Sequence, residues 1–176
     1  ALGGVYLASG DAAAAVRAVR KALVLEPNGY EANLFMGFYL QFAGEAGLAV
    51  EHLLLARRLN PVETYRDVAF LALAQFMNSN YLEVVRIWEE GSHKPRGIAM
   101  VVLAAAYALL DKPEEAAAVV EEFLQTRPDF DLNHFRYIES WQSEENRTRL
   151  YNAAIAAGFP ALEKVEQVSG RQTHEN

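Results

Sequence analysis

The chain has 176 residues, 52% of them hydrophobic, which is enough for one substantial core and too apolar for a disordered segment. Its formal charge of −7, from 23 Asp and Glu against 16 Lys and Arg, argues against a phosphate-binding surface, so nucleic acid is not an expected partner. No apolar run reaches the roughly 18 residues of a membrane span, and the lack of cysteine removes disulfides and thiolate metal sites, leaving the cytoplasm as the default compartment with the periplasm also open.

The opening "ALGGVYLASGD" reads as the second half of a helix running into a turn. It has neither an initiator Met nor the charged segment, apolar stretch and cleavage site of a signal peptide. The expectation is a fragment of a longer protein, in which any catalytic domain would lie outside this chain. A second helix follows and stops at Pro27, whose ring lacks the N–H that continuation needs.

The next stretch repeats the first. Gly3 and Gly37, Ala15 and Ala49, Val19 and Leu53, Ala22 and Ala56, and Pro27 and Pro61 are each 34 residues apart. A third unit, "LALAQFMNSNYLEVVRIWEEG", follows with a one-residue offset and an irregular exit, "GSHKPRG". A fourth places Ala104, Tyr107, Ala116, Val120 and Pro128 at equivalent positions. Each feature has a physical reason. Gly3, Gly37, Ala72 and Ala104 are small where the first helix of a pair must approach the second, and Ala15, Ala49, Val84 and Ala116 answer from the second helix. A larger side chain at such a crossing costs about 1–3 kcal/mol. Val19, Leu53, Trp88 and Val120 are large enough to fill the space between units, and "SGD", "AGE", "NSN" and "LDK" supply the turns.

These units resemble tetratricopeptide repeats, whose period is about 34 residues. The resemblance implies an all-α fold: a right-handed α-solenoid of antiparallel helix pairs with C-terminal capping helices. It assigns 1–130 to repeats (1–29 truncated, then 30–63, 65–96 and 97–130), 131–168 to the capping helices and 169–176 to a flexible tail. The third unit departs most, with Gln75 for an aromatic, Val84 for a small residue and Gly91 for alanine.

Beyond Pro128 a short helix is expected near Leu132–Ile138, a break near Gln142–Ser143 and a helix from about Glu144 to Ala157, with Ser143 as N-cap and Gly158 as C-cap. "RPDF" followed by "LYNAAIAAGFP" also looks like the end of repeat regions in bacterial class III nucleotide cyclases and in winged-helix transcription regulators. This second resemblance implies a bacterial signalling parent; none of the cyclase's metal-binding or base-recognition residues has a matching position here.

Catalytic, cofactor and metal sites are not expected. His52, His93, His134 and His174 have no paired ligand spacing. Glu89–Glu90, Glu114–Glu115 and Glu121–Glu122 are adjacent on helices and diverge by about 100°, so they belong to solvated faces. "GEAG" and "ALGG" lack the Lys and Ser/Thr of a phosphate loop. The recurrent positions that line the inner groove of such repeats hold Leu34, Phe38 and Phe42, then Leu73, Phe76 and Met77, then Val101, Ala105 and Leu109. Aromatic and Met side chains of this kind suit a peptide or an amphipathic helix, in cis or in trans. Repeat domains that clamp a peptide's terminal carboxylate carry Lys, Arg and Asn in the groove, where this chain has Leu34, Phe38, Phe70, Ile98 and Val102. The function expected is a non-catalytic protein-binding or regulatory module. The alternatives are a structural or dimerising spacer whose groove is filled by its own cap or by a second copy, or the regulatory region of a cyclase.

Overall fold

The computed structural model describes residues 2–134 and 143–161. Its helices are α1 (Leu2–Ala8), α2 (Ala12–Leu25), α3 (Tyr30–Phe42), α4 (Ala46–Leu59), α5 (Tyr65–Met77), α6 (Tyr81–Glu90), α7 (Ile98–Leu109), α8 (Pro113–Thr126) and α9 (Glu144–Ala157), with a short 3-10 turn at Leu132–His134 before α9. No strand occurs among the described residues. The expected helix near Leu132–Ile138 begins as that 3-10 turn, and the rest of it lies outside the described residues, as do most of the predicted 131–168 cap beyond α9 and the 169–176 tail.

Consecutive helices pair antiparallel, α3 with α4 most extensively, and α3, α5 and α7 also touch one another in series. They form an inner layer, with α4, α6 and α8 as the outer one. The fold is an all-α solenoid closed by a C-terminal helix. The crossings are as tight as the small residues demand. Ala15, Ala49, Ala104 and Val84 are wholly buried, and a Cβ added to Gly37 would lie 2.8 Å from the Ala49 carbonyl oxygen. Leu53, Trp88 and Val120 are buried, but Leu53 lies against the Gly37 position and Trp88 against the Tyr65 ring, so these two fill space inside their own units rather than between units.

The turns inside the pairs share one backbone device. Gly10, Gly44, Ser79 and Asp111 recur at the same place in successive pairs, and all four have φ between 58° and 87°. Glycine takes this left-handed conformation without cost, and Ser79 and Asp111 take it with some strain. Three of the described helix starts are fixed by side chains. Asp11 accepts from the Ala14 N–H at 2.7 Å, and Thr64 and Asp67 form a reciprocal capping box at the start of α5. Ser143 caps α9 by accepting from the Asn146 N–H, and Gly158 ends it at φ 107°.

The packing of α9 breaks the repeat pattern. Each inner helix α5 and α7 packs more on the outer helix before it than on the previous inner helix; α9 instead packs chiefly on the inner helix α7 and only lightly on α8. It therefore lies across the inner layer. Its first turns reach back to the loop ends of α3 and α5: Arg149 donates a 2.7 Å hydrogen bond to the Met77 carbonyl oxygen, and Ser143 approaches Gly44. Its far end joins the ring cluster Phe123, Phe130 and Phe159, whose centroids are 4.8–5.6 Å apart. This explains α7, where every residue from Ala99 to Tyr107 is buried. A helix apolar all round must be covered all round.

Candidate functional site

The inner layer divides in two. At the loop end, where α3 and α5 finish, α9 is in place: Leu150, Ala153 and Ala154 are buried on it, and Phe76 and Met77 are buried on the helix it approaches. Nearer the start of α5 and α7 an open cavity of about 560 Å³ remains, with Phe38, Phe42, Tyr65, Phe70, Leu73, Ile98 and Val102 among its walls. Phe38 and Phe70 stack with their ring centroids 4.0 Å apart, and Phe42 meets Phe38 edge-on at 5.0 Å. Such a stack gives a stiff apolar floor.

The groove expected from the sequence is thereby narrowed. Phe38, Phe42 and Leu73 line the cavity. Leu34, Phe76, Met77 and Val101 are buried within the single chain and lie outside it, because the turn of α3, α5 or α7 that carries them faces a neighbouring helix. Leu109 is 42% exposed but is likewise away from the cavity. Phe70, Ile98 and Val102, which in the sequence served only to set aside a carboxylate clamp, do line it.

Three cations missed in the sequence also line it: Arg66, Arg96 and Arg127. Arg66, on the first turn of α5, pairs with Glu31 at 2.7 Å. Partial loss of hydration tends to lower its pKa, but the contacts with Tyr30 and Glu31 outweigh this and raise it. Arg96 lays its guanidinium 4.0 Å from the centre of the Tyr65 ring, and Arg127 sits 5.2 Å from that of Phe123. The Arg96 backbone is held independently: Tyr65 Oη donates to its carbonyl oxygen at 2.9 Å and accepts from its N–H at 3.2 Å. The usable sequence signal was "SHKPRG", a basic run in an acidic chain, ending in a glycine that adopts φ 59° before α7.

Elsewhere the ionisable groups serve the scaffold. Asn33 Nδ2 donates to the carbonyls of Pro27 and Gly29, so its Oδ1 faces His52 Nδ1 at 2.9 Å, and burial pushes the His52 pKa down. Burial, followed by the hydrogen bond its hydroxyl donates to Glu89, pushes Tyr107 up to about 12. Among the described residues no group of three His, Asp or Glu side chains gathers to hold a metal ion, and no helix is long and apolar enough to cross a membrane.

No family model and no curated protein matches the sequence. Among solved structures the chain is similar to "Crystal structure of MamA", with a TM-score of 0.62 at 19% identity, covering 89% of this chain and 92% of that one. At that identity the likeness speaks for the fold alone. MamA is a tetratricopeptide-like helical protein, and the chain described here is an all-α solenoid of the same tetratricopeptide-like kind.

Proposed function

We propose that this chain is a non-catalytic binding module that holds a segment of a protein, in cis or in trans, in the cavity between α3, α5 and α7. The observation that carries the reading is the Phe38–Phe70 stack: two half-buried rings, with centroids 4.0 Å apart, that form the floor of an open cavity. Aromatic floors of this kind supply most of the affinity when a peptide side chain is desolvated against them. Panning the full chain against a randomised peptide library tests it. Bound peptides should lose about tenfold or more in affinity for Phe38→Ala and for Phe70→Ala, about 1.4 kcal/mol or more each. Unchanged affinity, with both variants folded by circular dichroism, overturns the reading.

A second reading has its own observation. Because α9 already covers the loop end of the inner layer, the groove is in part filled by its own cap, as a spacer would require. On that reading the Phe38→Ala chain loses no ligand, and the library yields nothing. A groove shared between two copies would appear in sedimentation as a dimer that Phe38→Ala dissociates. A link to a nucleotide cyclase or a winged-helix regulator rests on the sequence of the carboxy-terminal segment alone.

A further inference from the structure

The cavity's charge is opposite to that of the molecule. The chain carries 23 acidic against 16 basic residues, yet the cavity is lined by three arginines and by no carboxylate. Arg96 and Arg127 form no ion pair among the described residues, and each is exposed. Arg96 lies over the Tyr65 ring at 4.0 Å and Arg127 over the Phe123 ring at 5.2 Å, contacts that hold each guanidinium against a ring without using up its charge. A separate source of positive potential lies on the same wall. Gly97, Ile98 and Ala99, the start of α7, line the cavity, and this helix has no side-chain cap and no acidic residue in its first turn. The unneutralised positive end of a helix favours an anion.

We propose that the segment held in this cavity is an acidic, apolar peptide: a bulky apolar side chain on the Phe38–Phe70 floor, with an Asp or Glu beside it facing Arg96 and Arg127. The proposal rests on the groove reading and adds the partner's chemistry to it. An internal carboxylate suffices, and no free chain terminus is required, because the Lys and Asn positions of a terminal-carboxylate clamp are apolar here. The overall charge of −7 repels acidic chains at long range, so recognition depends on this local reversal and weakens as salt screens it.

The experiment uses the full chain and the same randomised peptide library. Enriched peptides should place Asp or Glu next to Phe, Leu, Ile or Trp. Replacing that acid by its amide should weaken binding about tenfold, and the double variant Arg96→Gln/Arg127→Gln should bind acid and amide peptides alike, since the charge-assisted contacts are then gone. Enrichment of neutral or basic peptides, or an undiminished preference in the double variant, overturns the charge assignment and leaves the groove reading standing. Failure to enrich any peptide, or binding indifferent to Phe38→Ala, overturns both. Decanoate bound in place of peptides would transfer the site to small amphipathic acids, and a dimer dissociated by Arg96→Gln would transfer it to a second copy; either result overturns the proposal.

Discussion

The two ends of the inner layer are built from the same kinds of residue and do different things. At the loop end Phe76 and Met77 are buried, and α9 lies there, tied by Arg149 to the Met77 carbonyl. At the other end Phe38, Tyr65, Phe70 and Ile98 are only half-buried, around a cavity lined by arginines. An apolar stripe on an inner helix therefore does not by itself say groove or core. What separates the two is the company the stripe keeps: a covering helix in one case, and in the other two exposed arginines, Arg96 and Arg127, that form no ion pair among the described residues.

The comparison can be broken at its strongest point by truncating one ring from each region. Phe76 has no exposed surface, and Phe76→Ala should cost about 3–5 kcal/mol of unfolding free energy. Phe38 is half-buried, and Phe38→Ala should cost about 1–2 kcal/mol, chiefly because Phe70 no longer has a ring to stack on. Urea midpoints measured on the two variants check the order. Equal costs would mean that the cavity floor is core in solution, and the division into two ends would fall. A smaller effect tests the cover itself. Arg149→Met keeps the stem but removes the hydrogen bonds to the Met77 carbonyl and to Asn146 Oδ1, at about 1–2 kcal/mol. Amide exchange should quicken in α9 and leave α3 and α4 unchanged, because the loss is local. Quickening throughout the chain would make α9 a keystone of the solenoid rather than a cover laid on it.

The fold was legible because its constraints are steric and periodic. Close crossings favour small residues, with Val84 the one larger exception, and the turns return at a fixed interval, so Gly37, Ala49 and Ala116 could be placed without coordinates. The extent of α9 and its two caps were legible for a similar reason, since Ser143 and Gly158 have short-range roles. The groove was less so. Burial of Phe76, Met77 and Val101 depends on which helices face those turns, and periodicity does not encode where α9 docks. One clue was present: "IAMVVLAAAYAL" has no charged residue on any face, so a helix there needs a third neighbour beyond its pair and its stack. The arginines were hidden differently. Arg66, Arg96 and Arg127 sit at helix ends, at positions that do not recur with the repeat, so only the folded chain brings them together.

The smallest expected effect is the most discriminating for the open end. Arg96→Gln removes a guanidinium stacked at 4.0 Å on Tyr65, an exposed contact of about 0.5–1 kcal/mol. Two terms oppose that loss. Arg96 shares its cavity with Arg66, Arg127 and the uncapped start of α7, so removing one positive charge relieves repulsion. The hydrogen bonds between Tyr65 Oη and the Arg96 backbone do not involve the side chain and persist in the variant. The net change in stability should stay within about 0.5 kcal/mol, as for other surface substitutions. Added salt screens that repulsion, so the parent should gain slightly more stability from it than the variant does. Denaturant curves of both proteins at low and high salt measure this. A loss above about 1 kcal/mol would make Arg96 a structural clamp on α5, in the same class as Arg149 on α9, and the open end would then differ from the covered end only in which residue does the fastening.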